Sequence, residues 1–282
     1  MKVYLVSRWK RVMAPAALAC VALLVSGISG RAEEIRVAWT DPSKPGTVAI
    51  DLLNGQIKVE GYDGKDVLID SAGEGSQRKQ RTPTRGNRAG LRRIGGSSGD
   101  VSVEEQNNVL RVSMTPNSEA KISLRVPVNT SLKLSCVNCD DMIVNNISGE
   151  LELKNINGGI KAKNISGSVV AHSLNDDVEV SLRGVTPGKA MSFSSMNGDI
   201  DVTMPATTKA DFLIDTHNGD IYTDFEVALE ANVNRQVNDN RNQGGSYKVK
   251  VNRNLKGKVN GGGPVIQFKN HNGDIMIRKG GA

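Results

Sequence analysis

MIVNNISGE (142–150), LELKNINGG (151–159), IKAKNISGS (160–168) and VVAHSLNDD (169–177) are one nine-residue pattern written four times, and VEVSL (178–182) begins a fifth. Met142, Leu151, Ile160, Val169 and Val178 open the units, and Val144, Leu153, Ala162, Ala171 and Val180 follow two residues later. A side-chain period of two puts positions 1 and 3 on one face of a strand. Ile147, Ile156, Ile165 and Leu174 add an apolar residue at position 6. A Ser-Gly, Asn-Gly or Asn-Asp corner then closes each unit. Such a repeat dictates architecture before any other signal in a sequence.

Two all-β architectures suit nine residues of strand and turn. In a parallel β-solenoid or β-roll, two units make a coil of eighteen residues and like positions stack. In an antiparallel β-meander or sandwich, each Asn-Gly would be a hairpin turn. The solenoid is favoured, because a meander has no need to repeat one residue type at one place. It predicts that Asn146 stacks on Asn164 in a side-chain ladder, and that Lys161 neighbours Glu179 on the outer face.

Residues 1–32 read as an export signal, with Lys2, Arg8, Lys10 and Arg11 before an apolar run from Val12 to Ile28. Gly30-Arg31-Ala32 places small residues for cleavage before Glu33. Cys20 sits inside the apolar run, which disfavours a lipoprotein anchor. The expected mature chain, 33–282, is a single domain in the periplasm, on the cell surface or secreted, with no further membrane-spanning segment. The formal charge of +6 falls to +1 once the five cations of the leader are removed. Its basic pI therefore gives no reason to expect a nucleic-acid partner.

Outside the repeat, TVAIDLLNGQIKVEGYDGKDVLID (47–70) reads as three short strands with turns at Asn54-Gly55 and Asp63-Gly64. Asn107-Asn108 reads as another turn. After Leu182 the coil lengthens: Val178 to Ile200 is 22 residues and Ile200 to Ile221 is 21, so Asn-Gly-Asp-Ile should mark one recurring corner. A polar excursion is expected over 224–245. GKVNGGGPVIQFKNHNGDIMIRK should close the array with a last pair of strands. Pro42–Pro45 and the tail after Ile277 are the expected caps for its edges.

Residues 71–99 interrupt the pattern with a Gly/Ser-rich insert. It carries Arg78, Lys79, Arg81, Arg85, Arg88, Arg92 and Arg93, with no acidic residue between Glu74 and Asp100. Such a block is ordinarily a solvated loop, and its functional alternative is a contact for a polyanion or an anionic lipid surface. Cys136 and Cys139 form a Cys-x-x-Cys between two strands. With no helix N-terminus to lower a thiolate pKa and no second cysteine pair for zinc, a local disulfide is the preferred reading.

The motifs KPGTVAIDLLNGQIKVEGYDGKDV, the NGDI and SGSV corners and GGGPVIQFKNHNGDIMI resemble, in that order, an exported bacterial family. It is known as a "putative adhesin" family built around a domain of unknown function. The resemblance covers most of 40–278. It implies a β-solenoid of short strands in the cell envelope, without an enzymatic activity or a cofactor. The basic insert and the Cys136/Cys139 pair depart from the family pattern.

Site candidates are few. Asp199, Asp220 and Asp274 each follow Asn-Gly, and stacked carboxylates could hold calcium. Asn-Gly-Asp is also ordinary turn chemistry. His217 and His271 precede two of these corners where Met196 and Leu53 stand in others, so they are expected to be semi-buried packing residues rather than metal ligands. No catalytic set is present: there is no nucleophile elbow, no Ser/His/Asp arrangement and no phosphate loop. Few aromatic residues are available for sugar stacking. The expected function is a non-enzymatic envelope protein serving structure or adhesion. The alternative is a carbohydrate- or polyanion-binding module acting through the insert. Its partner is unknown, with an envelope polymer, a lipid surface or self-association as the options.

Overall fold

The computed structural model describes residues 34–72, 101–114, 120–230, 235–239, 247–251 and 255–280. The expected export signal, residues 1–32, and the basic residues Arg78 to Arg93 lie outside them. The first part of the chain forms β1 (Glu34–Val37), β2 (Thr47–Tyr62), β3 (Val67–Ala72), β4 (Val101–Gln106), β5 (Val109–Met114), β6 (Ala120–Pro127) and β7 (Ser131–Cys139). The nine-residue units supply β8 (Met142–Asn145), β9 (Leu151–Asn155), β10 (Ile160–Gly167), β11 (Val169–Ser173) and β12 (Val178–Val185). They are followed by β13 (Met191–Ser195), β14 (Ile200–Pro205), β15 (Ala210–Asn218), β16 (Ile221–Thr223) and β17 (Val227–Leu229). A separate hairpin joins β18 (Arg235–Asp239) to β19 (Tyr247–Val251), and β20 (Leu255–Val259), β21 (Val265–Asn272) and β22 (Ile275–Gly280) complete the chain. All strands except that hairpin belong to one twenty-stranded, mostly parallel sheet, and no helix occurs among the described residues.

Within the repeat, each strand pairs in parallel with the strand two units away. Met142 partners Ile160, which partners Val178. On the intervening units, Leu132 partners Leu151, which partners Val169. The Asn-Gly corners here are not hairpin turns, because no strand pairs antiparallel with the next. Positions 1 and 3 all face inward: Met142, Val144, Leu151, Leu153, Ile160, Ala162, Val169, Ala171, Val178 and Val180 are buried. Each large one stabilises the fold by about 1.5–3 kcal/mol through lost contact with water. The two alanines leave room for larger partners, as where Ala171 lies opposite Phe193.

Position 6 behaves differently from the sequence expectation. Ile147 and Ile165 are buried, whereas Ile156 is 40% exposed and Leu174 is half-buried. The units alternate, so only every second corner turns its apolar residue inward. Position 5 alternates too. Asn146 and Asn164 take left-handed φ values of 58° and 60°, and their side chains hydrogen-bond as the ladder predicts. Asn155 and Ser173 instead point inward and are fully buried. Lys161 does neighbour Glu179 in register, but its ion pair is with Asp141, while Lys163 takes Glu179 at 3.0 Å.

Three further expectations change. Asn54-Gly55 is not a turn between strands but a corner inside the continuous β2, whose first half pairs with β7 and second half with β6 and β8. Ile200 does not stack on Ile221: both partner Ile275, so β22 lies between β14 and β16. Likewise β21 lies between β13 and β15. The final strands, and the tail after Ile277 with them, are therefore interior rather than terminal. The outer flank of β15 is covered instead by β20, which runs antiparallel to it and to β17.

At the other end, β1, β3 and β6 form an antiparallel flank. Asn107 and Asn108 make the predicted turn between β4 and β5, both with positive φ as a two-residue hairpin requires. The Asn108 side chain then ties down the lead-in, donating to the carbonyls of Asp41 and Lys44 and accepting from the Asp41 amide. Trp39 is buried beneath this lead-in.

Candidate interaction surface

One corner recurs along the stack with a constant order of roles. An inward residue comes first: Asn155, Ser173, Ser195, Thr216 or Asn270. An outward residue follows, then asparagine, then two turn residues, then the inward residue that opens the next strand. Four of these inward polar residues hold the corner closed, whereas the buried Thr216 hydroxyl has no hydrogen-bond partner. Asn155 donates to the carbonyls of Asp140 and Gly159, Ser173 to Gly158, Ser195 to Asp176, and Asn270 to Gly198 and Asp274. The Gly159 and Asp274 carbonyls also accept the backbone amides of Met142 and Ile200, so at these two the side chain adds a second bond. The fit is tight: a Cβ on Gly158 would lie 2.2 Å from the Cys139 carbonyl oxygen, and one on Gly198 would lie 2.3 Å from the Asp176 carbonyl carbon.

The asparagine of each corner points outward, and seven of them form a ladder. In spatial order they are Asn54, Asn138, Asn157, Asn175, Asn197, Asn272 and Asn218. Each Nδ2 donates to the Oδ1 of the preceding member at 2.5–2.9 Å, so all the amides run head to tail. Aligned amides polarise one another, which strengthens the row beyond its separate bonds. Its signal in the sequence is the asparagine at position 7 of alternate units, Asn157 and Asn175, where the units between have serine.

Beside the ladder runs the row of outward residues Leu53, Val137, Ile156, Leu174, Met196, His271 and His217. Leu53 is 50% exposed and Met196 is 44% exposed. Both histidines are exposed as well, contrary to the expected semi-buried packing. They stand on adjacent strands with ring centroids 4.9 Å apart and planes inclined by 35°. They are exposed because this corner bends its position-6 residue away from the core, as at Ile156.

On the other side of the ladder the structure brings the three candidate calcium residues together. Their spatial order is Asp199, Asp274, Asp220, and Asp177 of the adjoining corner precedes them. Each carboxylate accepts the backbone N–H of the next: Asp199 N to Asp177 Oδ1 at 2.7 Å, then Asp274 N to Asp199 and Asp220 N to Asp274, both at 2.8 Å. One oxygen of Asp177, Asp199 and Asp274 is thereby committed to bracing the corner. Among the described residues, no three or more His, Cys, Asp or Glu side chains converge to hold a metal ion. Asp220, then Asp274, raises the pKa of the exposed Tyr222 hydroxyl by disfavouring a nearby phenolate.

Cys136 occupies the place that Asn155 holds on the next strand. The corner from Cys136 to Met142 is one residue longer than that from Asn155 to Ile160. The Cys136 and Cys139 sulfurs are joined across it, both residues are buried and their Cα atoms lie 5.8 Å apart. A bridge here restrains the one oversized corner of the row.

The strand faces flanking the corner carry paired charges. Glu152 lies between Lys154 and Lys133, and the hydrogen bond from Lys154 is the main reason its pKa is lowered. The Asp141 carboxylate raises the pKa of Lys161 in the same way. Exposed pairs of this kind contribute little to stability. Elsewhere, an open groove of about 650 Å³ lies among Arg183, Pro187, Pro205, Lys209, Gly262 and Pro264.

No family model matches the chain, and no curated protein matches its sequence. Two solved structures are similar to it over most of its length. One is a "putative cell adhesion protein" from Clostridium sporogenes ATCC 15579, at 10% identity and a TM-score of 0.41, covering 88% of this chain and 99% of its own. The other is a "putative adhesin" from Bacteroides fragilis NCTC 9343, at 13% identity and a TM-score of 0.37, covering 90% of this chain and 100% of its own. A likeness this distant carries no activity or partner to this chain.

Proposed function

We propose that this chain is an exported, non-enzymatic protein of the cell envelope. In this reading it is a β-solenoid with two nine-residue units per coil, and it works as a rigid surface for adhesion. The observation that carries the reading is the corner where the seven-asparagine ladder lies beside the row from Leu53 to Met196, in which Leu53, Ile156 and Met196 are exposed. A row of apolar side chains held open on a fixed frame is the kind of surface by which soluble proteins engage partners. The flanking amides offer donors and acceptors at each strand spacing, about 4.8 Å apart. Asn155, Ser173, Ser195 and Asn270 each donate to corner carbonyls, which suits a scaffold better than a catalyst.

The test is binding of the full chain to native cell-envelope fractions, compared with a variant carrying Leu53→Lys and Ile156→Lys. Loss of binding in that variant, with its circular dichroism unchanged, supports adhesion through the corner. Unchanged binding overturns the assignment of the surface. A second reading rests on the seven basic residues between Arg78 and Arg93, which suit a polyanionic polymer or lipid surface. Deleting residues 75–97 would then abolish binding, and raised salt would weaken it in the parent chain.

A further inference from the structure

The interleaving of the last strands has a chemical result at the corner. Had the strands stacked in chain order, His217 would follow Met196 and His271 would stand beyond it. Because β21 lies between β13 and β15, the order is Met196, His271, His217. Asn270 partners Ser195 on one side and Thr216 on the other, so the three outward residues that follow them occupy consecutive rungs. The backbone joins them closely: the Asn272 amide donates to the Met196 carbonyl and the Gly273 amide to the Asn218 carbonyl, both at 2.9 Å. Two imidazoles and a thioether, from residues as far apart as 196 and 271 in the chain, thus share one exposed row.

The ring geometry suits a shared ion. A metal–nitrogen bond of about 2.0–2.1 Å puts each imidazole centre roughly 3.1 Å from the metal. Two such rings bound at about 90–120° to each other have centres about 4.4–5.4 Å apart. The observed separation is 4.9 Å. Both rings are exposed, so a nitrogen can turn toward an ion without opening the core. Met196 directly follows the strand next to that of His271 and is exposed as well. Asp199, Asp274 and Asp220 lie three residues further on in each corner and make the neighbourhood favourable to a cation. Lys269 and Asp215, paired in register two residues before the histidines, oppose each other in sign.

The donor set selects the metal. Calcium takes oxygen ligands, and zinc sites usually hold three or four protein ligands of nitrogen, sulfur or oxygen. Imidazole with thioether is a combination suited to copper, and thioether in particular to the cuprous ion. We propose that His271, His217 and Met196 form a surface copper site, with cuprous ion held by all three and cupric ion by the two imidazoles and water. The site is independent of whether the same surface also mediates adhesion.

The test uses the full chain purified without a polyhistidine tag. Cuprous ion, kept reduced with ascorbate to spare the Cys136–Cys139 bond, is titrated against a chromogenic cuprous chelator; cupric, zinc and calcium ions are titrated by calorimetry. The expected result is one equivalent of copper, bound more tightly than zinc, with calcium not bound. His217→Ala with His271→Ala should abolish cupric binding and leave cuprous ion only the thioether, because both nitrogen donors go. Met196→Leu should weaken cuprous binding by about tenfold and leave cupric binding in place. His172→Ala, a histidine on another exposed position, should change neither. Circular dichroism of each variant checks that the fold persists. No stoichiometric copper binding, or copper binding unchanged in the double histidine variant, overturns the site. Cuprous affinity indifferent to Met196→Leu overturns the thioether as a ligand.

Discussion

The units from Met142 to Leu182 and the strands from Met191 to Gly280 are built from the same corner, yet they stack by different rules. In the first region, neighbours in space are eighteen residues apart in the chain, as Met142, Ile160 and Val178 show. In the second, Ile200 meets Ile275, and Ile221 meets Ile275 from the other side. The difference lies in what fills the core. The first region is packed with aliphatic side chains and alanine. The second holds all four phenylalanines of the chain. Phe193 stacks on Phe268 at 5.6 Å, Phe268 meets Phe212 edge-on at 5.5 Å, and Phe212 meets Phe225 edge-on at 6.2 Å. Such contacts add specific geometry to bulk burial. Phe268, on the strand that slips between two others, is the centre of the set. A short repeat tells a strand which way to face, and the aromatic cluster selects its neighbour.

The comparison can be broken most severely at Phe268. Phe268→Ala should cost about 3–5 kcal/mol in denaturant unfolding, and the loss should concentrate in hydrogen-exchange protection of β13, β15 and β21. Protection lost equally across β8 to β12 would show that the two regions do not differ. A smaller effect is expected from Gly158→Ala, which drives a methyl group against the Cys139 and Asp140 carbonyls of the regular region. Overpacking there should cost about 1–3 kcal/mol. Gly198→Ala, at the junction between regions, should cost a similar amount.

The ladder sharpens the comparison further, because it crosses both regions. Asn175→Ala removes two rungs and Asn218→Ala only one, at the end. At about 0.5–1.5 kcal/mol per hydrogen bond, the interior change should cost roughly twice the terminal one. Equal costs would show that the amides do not act as a connected row.

The smallest effect is electrostatic and lies in the lead-in. Asp41 is held at a pKa of about 2, against an ordinary 3.8, chiefly by the Ser43 hydroxyl and then by Lys44. A depressed carboxylate contributes its stability above the unfolded value, and that contribution is lost as pH falls through the folded one. The lead-in should therefore loosen between about pH 3.8 and 2. Ser43→Ala should shift the Asp41 titration upward in carboxyl NMR.

Much of this was legible in the residues alone. Alternation at Met142, Val144, Leu151 and Leu153 marks the strands and their buried faces, because a side-chain period of two admits no other arrangement. The Asn107-Asn108 turn and the Asn146–Asn164 contact follow from local chemistry, since asparagine tolerates positive φ. The ladder from Asn54 to Asn218 was visible as a recurring letter, but its meaning depended on which corners turn outward. That is not encoded in Ile156 or Leu174, which look the same as the buried Ile147 and Ile165.

What only the tertiary structure decided is the order of the rungs. Ile200, Ile221 and Ile275 carry the same corner motif and could each pair with either of the others at similar backbone cost. The choice is made by long-range packing around Phe268 and by β20 covering the flank of β15. Neither leaves a trace in local sequence, because the groups that meet are separated by 54 or 75 residues. The same choice sets His271 between Met196 and His217.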